Sequence, residues 1–285
     1  MSLLKPHLAP WSALWLMLHA TSIFGLVEIE ISPGEKVEQV CARLTTVRAG
    51  LCAEFKERLV HSKFERRPLF AQTSAARRPG SLEGLLAPGL YALKPEAIDT
   101  FIDLLYESSS RHVEFLERQL RTDDRLTAYE LLTLASIVQK ESVSGANLER
   151  VAAVFRNRLD KEMKLASCPS VEFALGFHRP FLYWKDLKID SPYNTYLHRG
   201  LPPTPIATVS REAIQAAAGA ADSEEIFLVF DWTTQTHAFT ADLTKHQQNA
   251  ARAQENFVRL FGETMMRKAF SQLYYEPFPA ASSNR

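Results

Sequence analysis

Glu141 is the side chain whose neighbours in the sequence best suit acid–base chemistry. It closes the stretch Thr127-Ala-Tyr-Glu-Leu-Leu-Thr-Leu-Ala-Ser-Ile-Val-Gln-Lys-Glu141-Ser142. Leu131, Leu134, Ala135 and Val138 recur there at helical spacing and mark one apolar face. At about 100° per residue, Glu141 falls beside Leu134, Ile137 and Val138, not opposite them. A carboxyl in such company loses solvation, which disfavours its charged form and raises its pKa. A general acid working near neutral pH needs that shift. The competing reading is a partly exposed glutamate on the flank of the stripe, paired with Lys140 or Arg150.

The element that carries Glu141 announces its own start. Thr127 and Glu130 have capping-box spacing, so each can satisfy the other's backbone N–H. Around it lies a chain of 285 residues, long enough for one or two domains with a full core. Lys+Arg and Asp+Glu are both 33, so the formal net charge is zero. No overall field attracts a polyanion, which argues against nucleic acid as the main partner. Three cysteines, Cys41, Cys52 and Cys168, cannot all pair within one chain. Cys41 and Cys52 are close enough for a disulfide in an oxidising compartment, or are two buried thiols. No Cys/His spacing suits a metal, and no cofactor motif occurs.

Residues 8–27 hold no charged side chain, with His19 taken as neutral. About 20 such residues suffice to cross a bilayer. Lys5 and His7 precede the run while Glu28 and Glu30 follow it, so the expectation is a single-pass anchor of the cytoplasmic (inner) membrane. Its N-terminus would then lie inside and the rest of the chain outside. A cleaved signal peptide is the alternative, although no convincing small-x-small site follows the run.

Residues 27–32 alternate as a half-buried strand, and two short helices follow, marked by Val37, Val40, Cys41 and Leu44 and then Leu51, Cys52, Phe55 and Leu59. Residues 62–80 read as a basic, solvated loop, and 82–93 as a loop with a returning strand. This strand–helix–helix–strand order is that of a LysM-type module over residues 28–95, a fold often used to bind N-acetylglucosamine polymers. From Pro95 a helix is expected to about Arg121, then the 127–142 helix, then one capped by Asn147. Residues 163–210 show no sustained helical period but carry Tyr183, Trp184, Tyr193 and Tyr196 among short polar side chains, which suits sugar rings. Helix is expected at 211–221, strands at 226–230 and 236–240, and a last helix opening on a Thr244/Gln247 capping box. Residues 276–285 read as a disordered tail. The fold class is therefore α+β.

Several blocks then form a pattern: Leu-Glu-Gly (82–84), Leu-Ala-Ser-Ile-Val-Gln-Lys-Glu-Ser (134–142), Val-Phe-Arg-Asn-Arg-Leu (154–159), Asp-Ser-Pro-Tyr-Asn-Thr-Tyr-Leu-His-Arg-Gly-Leu-Pro-Pro (190–203), His-Ala-Phe (237–239) and His246. Together they resemble the YceG-like family of endolytic murein transglycosylases over roughly residues 28–262. The resemblance implies an N-terminal anchor (1–27), a LysM-like subdomain (28–95), a catalytic domain (96–275) and cleavage of peptidoglycan glycan strands. It puts the family's catalytic glutamate at Glu141, and it implies association with penicillin-binding peptidoglycan synthases.

By the same resemblance Tyr193, Asn194, Thr195 and Tyr196 are expected to line a glycan cleft. Ser167 and His237 are plausible contacts to N-acetyl or hydroxyl groups, or else turn-capping and core residues. Asn157 is expected to be a buried support for the Glu141 helix, His246 a capping or supporting residue, and Asp190 a second carboxylate or a loop cap. Departures from the family pattern stand at Ser167-Cys168-Pro169, at Thr204, at Val209-Ser210 and at Trp232-Thr-Thr-Gln. They keep a non-cleaving, wall-binding scaffold in view as the alternative function.

Overall fold

The computed structural model describes residues 25–60, 82–120, 125–142, 147–177, 182, 185–219, 222–231 and 233–262. Strand β1 (Val27–Ile31) leads into helices α1 (Val37–Val47) and α2 (Leu51–Val60), and β2 (Gly89–Leu93) returns antiparallel to β1 with Ile29 opposite Tyr91. Next come α3 (Ile98–Gln119), α4 (Ala128–Glu141), α5 (Leu148–Asp160) and α6 (Cys168–Leu175), a short 3-10 turn (Asp186–Lys188), and α7 (Arg211–Ala218). An antiparallel hairpin of β3 (Phe227–Asp231) and β4 (Thr236–Thr240) precedes α8 (Leu243–Phe261). The architecture is α+β, as expected.

Two apolar cores organise these elements. The first gathers Ile29, Ile31, Val40, Leu44, Phe55 and Leu93 from the strand–helix–helix–strand unit, and Cys41 and Cys52 there form a disulfide with Cα atoms 4.9 Å apart. The second surrounds α4, whose residues from Ala128 to Val138 are buried with the exception of the capping residue Glu130. A helix apolar on every side belongs inside a core, and α4 is enclosed by α3, α5, α6 and α7. Its hydroxyls are satisfied within: Thr133 Oγ1 donates to Tyr129 O at 2.8 Å and Ser136 Oγ to Thr133 O at 2.7 Å. Helix α3 serves both cores, with Ile98, Phe101, Ile102 and Leu105 in the first and Val113 and Leu116 in the second.

The units are joined by a reciprocal clasp. Gly34 N–H donates to Thr208 O at 2.9 Å and Thr208 N–H donates to Glu35 O at 2.8 Å. The Thr208 hydroxyl accepts from Glu35 N–H at 3.0 Å and donates to Ser32 O at 2.7 Å. Beside the clasp, Gly84 runs at φ +78°, and a Cβ there would lie 2.5 Å from Pro205 Cβ, so both the conformation and the close approach require glycine.

Four expectations need amendment. The irregular span 163–210 contains α6, opened by Pro169 in its first turn. Asn147 occupies the N-cap of α5 but in a left-handed conformation, and its side chain makes no cap bond. The last helix is capped by Asp242, accepting from Lys245 N–H at 2.6 Å, and not by Thr244, because the helix begins one residue before that threonine. Helix α7 stops at Ala218. The anchor expected at 8–27 lies outside the described residues apart from 25–27, and Val27 already belongs to β1. Among the described residues no helix is long and apolar enough to cross a membrane. The loop at 62–80, Tyr183, Trp184, Trp232 and the tail at 276–285 also fall outside them.

Thr208→Val keeps shape but removes the hydroxyl, leaving the Glu35 N–H only its longer 3.3 Å bond to Ser32 O and taking one donor from the Ser32 carbonyl inside the junction. We expect a loss of about 1–3 kcal/mol in unfolding free energy. Denaturant titration checks it, and an unchanged midpoint would mean that the clasp is solvated.

Candidate active site

Three returns of the 163–210 segment build the surroundings of Glu141. Ile206 N–H donates to Ser136 Oγ at 3.0 Å, Ser210 N–H to Gln139 Oε1 at 3.0 Å, and Ser167 Oγ to Glu141 Oε1 at 2.8 Å. The first two lock the segment along α4. The third meets the carboxyl where α4 stops, the Ser142 N–H closing the last turn onto Val138 O at 3.0 Å.

Glu141 itself is half-buried, at the edge of a core that has swallowed the rest of its helix. Burial pushes its pKa up to about 7. The Ser167 hydroxyl, the charge of Arg158 and the Cys168 N–H hold it back, while the Glu172 carboxyl adds to the rise. Two helix ends meet here. The C-terminal turn of α4 disfavours a negative charge and the N-terminus of α6 favours one. The result is a carboxyl that exchanges its proton near neutrality.

The block 193–196 is mainly scaffolding for Ser167. Ser167 N–H donates to Thr195 Oγ1 at 2.9 Å, Ser170 Oγ lies 2.8 Å from the same oxygen, and Ala166 N–H donates to Thr195 O at 3.1 Å. Asn194 is buried, its Nδ2 donating to Leu187 O at 2.9 Å and Ile189 O at 3.0 Å. Tyr193 is buried too, its hydroxyl 2.9 Å from Thr204 Oγ1 and its ring 4.8 Å from that of Phe173. Threonine at 204, a departure from the family pattern, is thus the partner of a buried tyrosine. Tyr196 is half-exposed, with its hydroxyl 3.1 Å from Cys168 Sγ. Of the four residues expected to line a cleft, Tyr196 is the one that is not buried.

The remaining candidates are dispersed. Asn157 Nδ2 donates to Ser223 O at 2.6 Å and Glu225 O at 2.9 Å, so it holds the entry to β3 and not the Glu141 helix. His237 packs against Phe230 and Phe239, with centroids at 5.3 and 5.8 Å, and burial drives its pKa down to about 4. His246 stacks on Phe227 at 4.7 Å in the first turn of α8 and caps nothing. Asp190 is exposed. The second carboxyl in electrostatic reach of Glu141 is Glu172. Lys140 and Arg150 are engaged elsewhere, with Gly34 O and with Glu225, so neither answers the surface-pair reading of Glu141. Among the described residues no three His, Cys, Asp or Glu side chains converge as metal ligands would.

Arg158 was not singled out from the sequence. Its guanidinium is held by two main-chain carbonyls, Ile226 O at 2.7 Å and Leu165 O at 2.5 Å, with Glu141 and Tyr196 in electrostatic reach. The Arg-Asn-Arg triplet at 156–158 was its only signal.

This arrangement can be set beside known proteins. The profile of the YceG-like family matches residues 3–252. The chain belongs to the YceG-like family. An endolytic murein transglycosylase of Bacillus subtilis is 36% identical over 138 residues, covering 48% of this chain and 38% of that protein. One of Streptococcus pneumoniae is 31% identical over 176 residues, covering 60% of this chain and 32% of that protein. The match thus spans only about a third of the length of these relatives. A YceG-like protein of Listeria monocytogenes superposes with a TM-score of 0.68 at 27% identity, over 78% of this chain and 75% of the other.

A carboxyl raised from the ordinary 4.5 to about 7 has a signature in stability. Between those pH values the folded protein keeps a proton that the unfolded chain has released, so stability declines across the window as pH rises. Glu141→Gln removes this dependence. The variant should match the parent at pH 4 and exceed it at pH 8 by about 1 kcal/mol, after discounting for partial exposure. Thermal unfolding at both pH values tests this, and an equal difference at the two would exclude a retained proton.

Proposed function

We propose that this protein is a peptidoglycan lytic transglycosylase in which Glu141 is the single general acid and base. The observation that carries the reading is a half-exposed carboxyl at the end of a buried helix, bonded to Ser167 and raised to about 7. The names of the Bacillus and Streptococcus relatives support the substrate class.

The chemistry follows from one titrating group. Protonated Glu141 gives its proton to the glycosidic oxygen between N-acetylmuramic acid and N-acetylglucosamine, and the bond from C1 to that oxygen breaks. The carboxylate left behind takes the proton of the muramic C6 hydroxyl, whose oxygen closes on C1 to give a 1,6-anhydro end. Ordinary glycosidases use two carboxyls because one must attack or activate water. Here the nucleophile is internal, and one residue near its working pH serves both steps. Arg158 steadies the carboxylate between the steps. Tyr196 offers an aromatic face to the glycan, while Tyr193, Asn194 and Thr195 hold Ser167 in place. Glu172 is the observation favouring a water-consuming hydrolase as the second reading.

In the same proposal residues 8–27 anchor the chain in the cytoplasmic membrane and the rest lies outside it. The Cys41–Cys52 disulfide suits an oxidising compartment. The unit from β1 to β2 acts as a LysM-like module for glycan, with residues 96–275 as the catalytic domain, and penicillin-binding synthases are candidate partners.

Digestion of purified peptidoglycan by the full chain should release anhydro-ended fragments, and Glu141→Gln should lower the rate by about 10³-fold or more. Products heavier by one water would establish the hydrolase, and binding without cleavage a scaffold. Because the acid form starts the reaction, the rate should fall as pH rises through about 7. Ser167→Ala removes a bond that favours the carboxylate, so the fall should move to higher pH, by up to about one unit. A fall that stays in place would separate Ser167 from the acid.

A further inference from the structure

Lys36 sits at the N-cap of α1, in the first unit, yet its ammonium lies 5.2 Å from the ring centroid of Phe173 on α6. That ring packs on Tyr193, inside the framework that holds Ser167. Lys140 comes to the same place from the other unit, its Nζ donating to Gly34 O at 3.2 Å. The two ammonium groups feel each other. Burial, then the charge of Lys140, lowers the pKa of Lys36. Among the described residues no carboxylate makes an ion pair with either of them.

Glu83, bonded to Val37 N–H at 3.1 Å, is pushed up to about 8 by burial and is largely neutral at pH 7. Glu38 and Glu172 are in electrostatic range without closing on the ammonium of Lys36. Glu172 reaches Glu141 as well, so the lysines and the acid border one region. Helix α6 rises about 1.5 Å per residue, so Phe173 stands roughly 8 Å along it from the Cys168 N–H beside Glu141. That is a short step along a glycan from the bond to be cut. The aromatic face keeps the Lys36 ammonium in place while leaving it a free side.

We propose that Lys36 and Lys140 form an anion subsite, shared between the two units, that takes a carboxylate on the peptide substituent of a sugar flanking the cut bond. The proposal rests on the glycan-cleaving function put forward above and deepens it. The sugar rings of such a strand offer hydroxyls and acetamides, and its carboxylates reside on the peptides. A paired-ammonium site therefore distinguishes peptide-bearing strands from bare ones.

The test is binding by the full chain carrying Glu141→Gln to fluorescent glycan strands of three kinds: with intact peptides, with the peptide carboxylates amidated, and with the peptides removed. Binding to intact strands is expected to be about tenfold tighter than to either of the others. Lys36→Met in that background should abolish the preference without changing affinity for bare strands, and Lys36→Arg should keep it. Equal affinity for all three strands, a preference that survives Lys36→Met, or no binding to any strand would overturn the subsite. The catalytic reading is judged separately by cleavage with the parent chain. Absent cleavage together with a retained preference would strike that reading alone and leave the subsite standing.

Discussion

A carboxyl that is to hold its proton near neutrality must be desolvated, and one that is to give it away must be reachable. Helix α4 reconciles the two by running inside the core from Ala128 to Val138 and surfacing within its last turn. The segment from 163 to 210 is shaped by the same requirement. It bonds to Ser136, Gln139 and Glu141 in turn, so the helix that carries the acid also aligns the loop that tunes it.

Burial alone does not mark such a place. Glu83 is raised further than Glu141, to about 8 against about 7, yet it is enclosed at the junction and meets the first turn of α1. Both accept a hydrogen bond, but Glu141 adds a nearby guanidinium and an open side. The combination of a raised pKa with counterweights and access is what a general acid requires, and Glu83 lacks the access.

What could be read from the chain alone follows the strength of local signals. The Thr127–Glu130 capping box and the apolar stripe placed α4 and the flank position of Glu141, and both bonds of the box are present. The β1–β2 and β3–β4 elements were legible from alternation and from short apolar runs. Helix α6 was not, because eight residues opening on Cys-Pro-Ser contain too few turns to show a period. The polar block 193–196 misled for a different reason. Aromatic rings beside amides and hydroxyls suit a sugar, but they suit a buried loop equally once backbone carbonyls take up the donors, as Leu187 and Ile189 do for Asn194. Sequence shows which donors exist and not which partners they meet. Arg158 escaped notice for that reason, since its partners are main-chain oxygens of distant segments.

Helix α3 carries a consequence of its own. One end is packed into the first core and the other into the second, with no break between them across 22 residues. A linker of coil would have made the first unit a tethered accessory, free to swivel and to sample many separations. A continuous helix makes it a strut. Any polymer touching both units then meets them at a set spacing and pitch, so the molecule behaves as a caliper and not as a leash.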